Sequence, residues 1–445
     1  MSLAAQPALP LRHLFRASAC RPYPLVWLPS AQGRPGRGER SALFPLLEPA
    51  LRVSLSGRYF YRSPEGAVRR GHATGPSLWR LFDELFAQES AGRQGAWVGW
   101  IRYEAGGLAD PAIPALADQG EVVLSLARVL GGWCERSGTL ERWTPDPRAE
   151  GPLGEIEAEA QRWAQLPLPA RPPRVRVRLP EEAWYRAAFR SIQEDLERGR
   201  FYQLCLTFPL WVDGRVDLVG AAESLLSMAP ADFGGYCRWD GLEVASSSPE
   251  LFWAVDAGRV RARPMKGTRR VVPGREREQR QELRGAEKDR AENVMIVDLL
   301  RNDLHRVCVP GSVHVPSLCE VESYANVLQM TSTIEGTLRS GIGPFRLLEA
   351  TFPPGSMTGA PKVEACRGIA GLERRPRGLY AGSVLWLPFD GAWRANVVIR
   401  SLIRDEQGLR WPVGGGIVID SEEAAEWAEA ASKAETLFRC LQERP

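Results

Sequence analysis

The sequence predicts an α+β protein built on antiparallel sheets, not a Rossmann-type βαβ array. Strand-like segments cluster together between helical ones, their connections are mostly short, and helix and strand patterns do not alternate. At 445 residues the chain is long enough for one very large core or two ordinary ones, since domains typically run about 100–200 residues.

The elements follow in order from Pro180. In PEEAWYRAAFRSIQEDLERGR, Trp184, Ala188, Ile192 and Leu196 recur at four-residue spacing, one stripe of an amphipathic helix that Gly199 ends. FYQLCLTFPLWV, LEVASSSPELFWAV and RVRARPMKGTRR read as strands, the last placing Val260, Ala262, Pro264 and Lys266 on one face. EKDRAENVMIVDLLRNDL predicts a second helix, and GLYAGSVLWL, RANVVIRSLI and RWPVGGGIVID predict further strands. Ser421 is placed to cap a last helix through EEAAEWAEAASKAETLFRCL. Upstream, residues 144–180 are proline-rich, the composition of an extended connector. It divides an N-terminal region, 1–143, from a C-terminal region, 181–445.

Composition narrows the function. The hydrophobic fraction of 44% and charged fraction of 25% belong to an ordinary globular protein. A net charge of +3, with arginines scattered among acids, implies no nucleic-acid partner. The eight cysteines contain no C-x-x-C pair, which favours reduced thiols in a cytoplasm. Pro7, Pro10, Arg12 and His13 interrupt the N-terminus, so it lacks the apolar run of a signal peptide. Nor does any stretch approach the roughly 20 apolar residues of a membrane span. With four histidines in all, a metal should be held by carboxylates, which suits magnesium.

Two helices carry candidate ligands. In the last one, Glu422, Glu426, Glu429 and Lys433 share a face, while Trp427, Ala431, Ala434 and Phe438 occupy another. That face is suited to a metal and an anion together, although the spacing also describes a solvated helix with a Glu429–Lys433 pair. Asp289 and Glu292, three apart on the earlier helix, offer further carboxylates or ordinary surface charge. The glycines of VGGGIV let backbone amides approach a carboxylate closely, or simply make a bend. Lys266 is either a solvated strand-end lysine or an amine made nucleophilic by nearby cations or an apolar pocket.

Read in order, SSSPELF, RPMKGTRR, EKDRAENVMIVDLLRNDLHRVCVPGSV, PPGSMTGAPK, RGLYAGSV, IRS, GGGIVIDS and EWAEAASKA resemble the chorismate-utilising enzymes. This family includes anthranilate, aminodeoxychorismate, isochorismate and salicylate synthases. The resemblance covers about 260 residues, from near Pro180 to the C-terminus, and RPYPLVWLPS and GAWVGWIRYE resemble the family's N-terminal region. It implies one intertwined fold of stacked antiparallel sheets, a β-sandwich with helices outside and the active site between the layers.

Carried over residue by residue, Glu292 and Glu429 match magnesium ligands, with Asp289 and Glu426 in support. Tyr380, Arg400, the amides of Gly414, Gly415 and Gly416, and Lys433 match positions that bind the carboxylates of chorismate, and Thr268 and Gln203 fall among the substrate-binding positions. Glu250 matches the general acid that helps the C4 hydroxyl leave. Gln203 replaces the lysine of water-adding members, which disfavours isochorismate formation. Lys266, where anthranilate synthases typically carry alanine, marks the aminodeoxychorismate-forming branch, in which it attacks C2 and ammonia enters at C4. Gln329 stands where many members have histidine, and Ala430 replaces a common threonine. The resemblance leaves only a short N-terminal segment, with Cys20 and His13 in no nucleophile motif. The expected partner is therefore a separate glutamine amidotransferase subunit that delivers ammonia.

Overall fold

The computed structural model describes residues 11–21, 24–28, 41–136, 139–163, 175–323 and 327–442. Most of LPLPARPPRVRVRLP and residues 22, 23, 29 and 30 of RPYPLVWLPS lie outside them. Every described strand pairing is antiparallel. One hydrogen-bonded path of strands starts at Val327–Thr337 and runs through Arg259–Arg263, Leu251–Asp256, Arg394–Asn396, Ser383–Pro388, Ala96–Ile101 and Val122–Arg136. It continues through Ala42–Ser54, Leu25–Leu28, Gly235–Trp239, Leu242–Ser246, Ser401–Asp405 and Gly408–Ile417 to Gln203–Asp213.

The path doubles back on itself because both of its halves have apolar faces to bury. Trp97, Trp100 and Leu126 from one half share a buried cluster with Val244 and Ile403 from the other. A second cluster lies under the outer helices, where Ile192, Leu225 and Leu437 cover Phe208, Leu402 and Trp411. The regions on either side of residues 144–180 therefore share sheets and core: Leu25–Leu28 pairs with Gly235–Trp239, and Ala96–Ile101 pairs with Ser383–Pro388.

Most predicted helices form where the periodicity places them, at Glu182–Glu197, Glu287–His305 and Glu423–Gln442. Four details differ. Part of the expected extended connector is a helix, Glu150–Trp163, because Leu153, Ile156 and Ala160 fall on one face and enter the second cluster. The strands expected in LEVASSSPELFWAV, RVRARPMKGTRR and RANVVIRSLI each split in two, at residues 247–250, at Pro264 and at residues 397–400. A proline has no N–H to donate to a ladder. Ser421 does not cap first-turn amides: its hydroxyl accepts the Val418 N–H and donates to Glu426. On the last helix the buried stripe is Ala430, Ala434, Leu437 and Leu441, with Trp427 and Phe438 half-buried and Ala431 exposed.

Candidate active site

The two ends of the strand path face each other across one cavity of about 140 Å³. From one end come Lys266, Thr268 and Gln329; from the other come Cys205 and Gly414, Gly415 and Gly416. Helix Glu287–His305 adds Asp289 and Glu292, helix Glu423–Gln442 adds Glu429 and Lys433, and Glu250, Tyr380 and Arg400 complete the wall. Every catalytic, carboxylate-binding and metal candidate except Gln203 lines this space. Gln203 is held behind the wall, its amide nitrogen 3.4 Å from Glu292 Oε2. A wider chamber of about 290 Å³ shares Thr268, Asp289, Gln329, Arg400, Glu429 and Lys433 with the inner one.

Lys266 reaches the cavity because Gly267, at φ +67°, bulges its strand out of regular register with Val327–Thr337. A Cβ on Gly267 would also strike Asp289 at 2.9 Å. The Lys266 ammonium donates to the Ser356 carbonyl at 3.4 Å and stands 3.8 Å from Glu292 Oε2. Burial works to lower its pKa, but Glu292, then Cys205, Glu250 and Glu429, outweigh burial and raise it. Of the surroundings the sequence left open, neither solvent nor depressing cations nor an apolar pocket prevails: the amine is buried, and carboxylates outweigh that burial.

Glu250 is 4% exposed. Burial raises its pKa to about 7, against the lowering effects of a Ser356 hydrogen bond, Lys266 and Arg400. A carboxyl in that state still carries a proton near neutrality.

The glycine tract is a requirement of space. A Cβ on Gly416 would lie 2.1 Å from Gln203 Nε2, and one on Gly415 would lie 3.3 Å from Glu426 Oε2. Lys433 donates to the Gly414 carbonyl at 2.6 Å and pairs with Glu429 at 2.8 Å, tying the last helix to this strand. Arg400, at φ +49°, holds the left-handed conformation that costs a non-glycine residue energy.

The acidic side chains divide into two groups. Asp289 is paired with Arg269 and Glu426 with Lys288. Glu292 is raised by burial, with Glu426 and Glu429 adding to the effect against Lys266 and Lys288. Burial pushes the half-exposed Glu429 up, yet Lys433, Lys266 and Lys288 hold it below its ordinary value. Among the described residues, no three His, Cys, Asp or Glu side chains are grouped for a metal. Glu292 and Glu429 would offer two carboxylates and leave the other positions to substrate or water, a donor set that suits magnesium. Glu422, on the predicted polar face, is not part of the cavity.

Gln329 presents a buried Oε1 that has no hydrogen-bond partner among the described residues. Ala430 faces the apolar cluster under its helix. Ser356, in PPGSMTGAPK, and Lys288, in EKDRAENV, also line the cavity, and neither residue type nor spacing marks them in the sequence.

The family model of the chorismate binding enzymes matches residues 60–439, a span that includes every residue lining this cavity. The chain belongs to that family. It is 42% identical over 262 residues to an aminodeoxychorismate synthase of Streptomyces pristinaespiralis, the match covering 57% of this chain and 36% of the relative. It is 41% identical over 260 residues to aminodeoxychorismate synthase component 1 of Klebsiella aerogenes, covering 58% of each. The chain thus matches less than two thirds of the length of these relatives. In structure it is similar to anthranilate synthase component I from Streptococcus pneumoniae TIGR4, with a TM-score of 0.72 at 23% identity over 92% of this chain and 94% of the other. No helix among the described residues is long and apolar enough to cross a membrane.

Proposed function

We propose that this chain is a magnesium-dependent enzyme that replaces the C4 hydroxyl of chorismate with an amino group. The product is 4-amino-4-deoxychorismate, a precursor of 4-aminobenzoate and folate. The observation that carries this reading is the convergence of Lys266 and Glu250 in one cavity, each in touch with Ser356. The names of the relatives at about 40% identity support it.

In this reading Arg400, Tyr380, the Gly414–Gly416 amides and Lys433 hold the substrate's carboxylates, with Thr268 beside them. Glu292 and Glu429 would hold magnesium, which when bound supplies a fixed positive charge for the ring carboxylate. Lys266 passes a proton to water and its free amine attacks C2; the two conjugated ring double bonds each move one position toward C4 and the C4–O bond breaks. Glu250 gives its proton to the departing oxygen, which leaves as water. Ammonia then adds at C4, both double bonds move back, the C2–N bond to Lys266 breaks, and the new ammonium returns a proton to Glu250. The ammonia comes from a glutamine amidotransferase subunit, consistent with the designation component 1 of the Klebsiella relative. A cytoplasmic setting agrees with eight free cysteines.

The test is to incubate purified chain with chorismate, magnesium and ammonium and identify the product by mass spectrometry. Aminodeoxychorismate is expected. Anthranilate as the main product, or no chorismate consumption, overturns the reading. With glutamine as the only nitrogen source and no partner, steady glutamate release would refute the separate amidotransferase.

A further inference from the structure

Ser356 stands beside both proposed reacting groups in the cavity wall: its carbonyl accepts from Lys266, and its side chain is close enough to Glu250 to lower that carboxyl's pKa. It sits in a single three-residue turn, Gly355–Met357. So short a turn has few hydrogen bonds of its own with which to fix its position. On one side Thr358, the next residue, accepts the Cys205 N–H at 2.8 Å; from behind, the turn is held by Arg377, which is buried.

The Arg377 guanidinium spends each of its nitrogens. Nη1 donates to the Met357 carbonyl at 2.6 Å, inside the turn, and Nη2 donates to the Cys205 carbonyl at 2.8 Å, on the opposite cavity wall. Nε and Nη2 form a fork on Glu373 at 2.9 and 2.6 Å. Glu373 in turn accepts the N–H and hydroxyl of Thr207, both at 2.9 Å, on the strand that carries Cys205. From the N-terminal region, Glu104 Oε1 accepts the amides of Arg377 at 2.7 Å and Gly378 at 3.3 Å. The ring of Tyr103 lies 4.7 Å from the guanidinium carbon. A planar five-donor cation is the side chain that can tie two carbonyls and a carboxylate in one plane; a lysine cannot.

We propose that Arg377, braced by Glu373 and by Tyr103 and Glu104 from the N-terminal region, is a positioning residue that fixes the Ser356 turn against the Cys205 strand and so sets the placement of Lys266 relative to Glu250. It touches no substrate. This rests on the assignment of Lys266 and Glu250 as the reacting groups. It also gives the N-terminal region a part in catalysis.

The variant Arg377→Lys keeps a cation beside Glu373 but loses the fork. Expected is a fall in kcat of about tenfold or more, because small misplacements of reacting groups are costly in rate. The KM for chorismate should stay within about twofold, since the binding groups are untouched. Chorismate disappearance is followed whatever the product, and the limb of the pH–rate profile belonging to Glu250 should move. Hydrogen exchange, read by mass spectrometry, should quicken in the peptide spanning 354–358 and stay unchanged in Val122–Arg136. If Arg377→Lys fails to fold, Thr207→Val removes one brace of Glu373 and should give the same changes in smaller measure. Unchanged kcat, pH profile and exchange at 354–358 overturn the proposal, as does a uniform quickening of exchange throughout the chain. A wild-type chain that formed no aminodeoxychorismate would overturn the functional reading instead, and the exchange measurement would still decide the clamp.

Discussion

The ammonium of Lys266 stands 3.8 Å from a carboxylate oxygen of Glu292, so the proposed nucleophile and a proposed metal ligand share their charge across the cavity. Neither is explained by folding alone. A buried ion pair returns little net stability once both charges have been taken out of water, and this one lies beyond direct hydrogen-bond length.

Replacing Lys266 with alanine should abolish amination while leaving a folded protein. The side chain makes one long hydrogen bond, to the Ser356 carbonyl, and the strand around it is held by its ladder with Val327–Thr337. Loss of a covalent nucleophile should cost on the order of a hundredfold or more in rate. Aminodeoxychorismate formation at the wild-type rate would rule out the covalent role.

Glu250 should impose a falling limb on the rate as pH rises. Its pKa is raised by burial to about 7, so the proton needed by the leaving hydroxyl is present below that value and lost above it. Wild type and Glu250→Gln both need the same free amine at Lys266, so the ratio of their rates isolates Glu250 and should decline about tenfold per pH unit well above 7. A ratio flat from pH 6 to pH 9 would contradict the assignment.

Magnesium binding should weaken in both Glu292→Gln and Glu429→Gln, because a neutral amide is a poorer ligand for a hard cation than a carboxylate. The loss should be greatest with chorismate present, since the protein offers only two carboxylates to the ion. Calorimetric titration reads this without turnover, and full activity in excess chelator would refute the requirement.

The glycine tract permits a graded prediction. A methyl at Gly414 meets the backbone oxygen of Leu206 at 2.2 Å, whereas one at Gly416 meets the movable amide of Gln203 at 2.1 Å. Overpacking costs about 1–3 kcal/mol where neighbours can give, and more where they cannot. Gly414→Ala should therefore lower the urea midpoint more than Gly416→Ala, which should mainly disturb Glu292 through Gln203. The reverse order would show that the strands yield more readily than the side chain.

Much of the site was legible in the chain because its chemistry is local. The glutamates of two helices, the lysine beside a glycine, and the glycine tract each lie in a short motif, and the helical stripe from Ala188 to Leu196 depends on a period of a few residues. The environment of those groups was not legible. Whether Lys266 met cations or carboxylates depended on which side chains arrived from Glu250, Glu292 and Glu429, all distant in sequence.

The sequence by itself determined most element types, the antiparallel character and the candidates for the reacting groups, since propensity, periodicity and motif spacing act over neighbouring residues. Tertiary structure alone decided that the Lys266 strand would face the Cys205 strand, that Glu250 would be buried enough to keep its proton, and that Arg377 would stand behind Ser356 with Glu104 at its back. The reason is physical. These relations arise when a long path of strands closes to bury its apolar faces, and burial and contact belong to the closed path rather than to any stretch of chain.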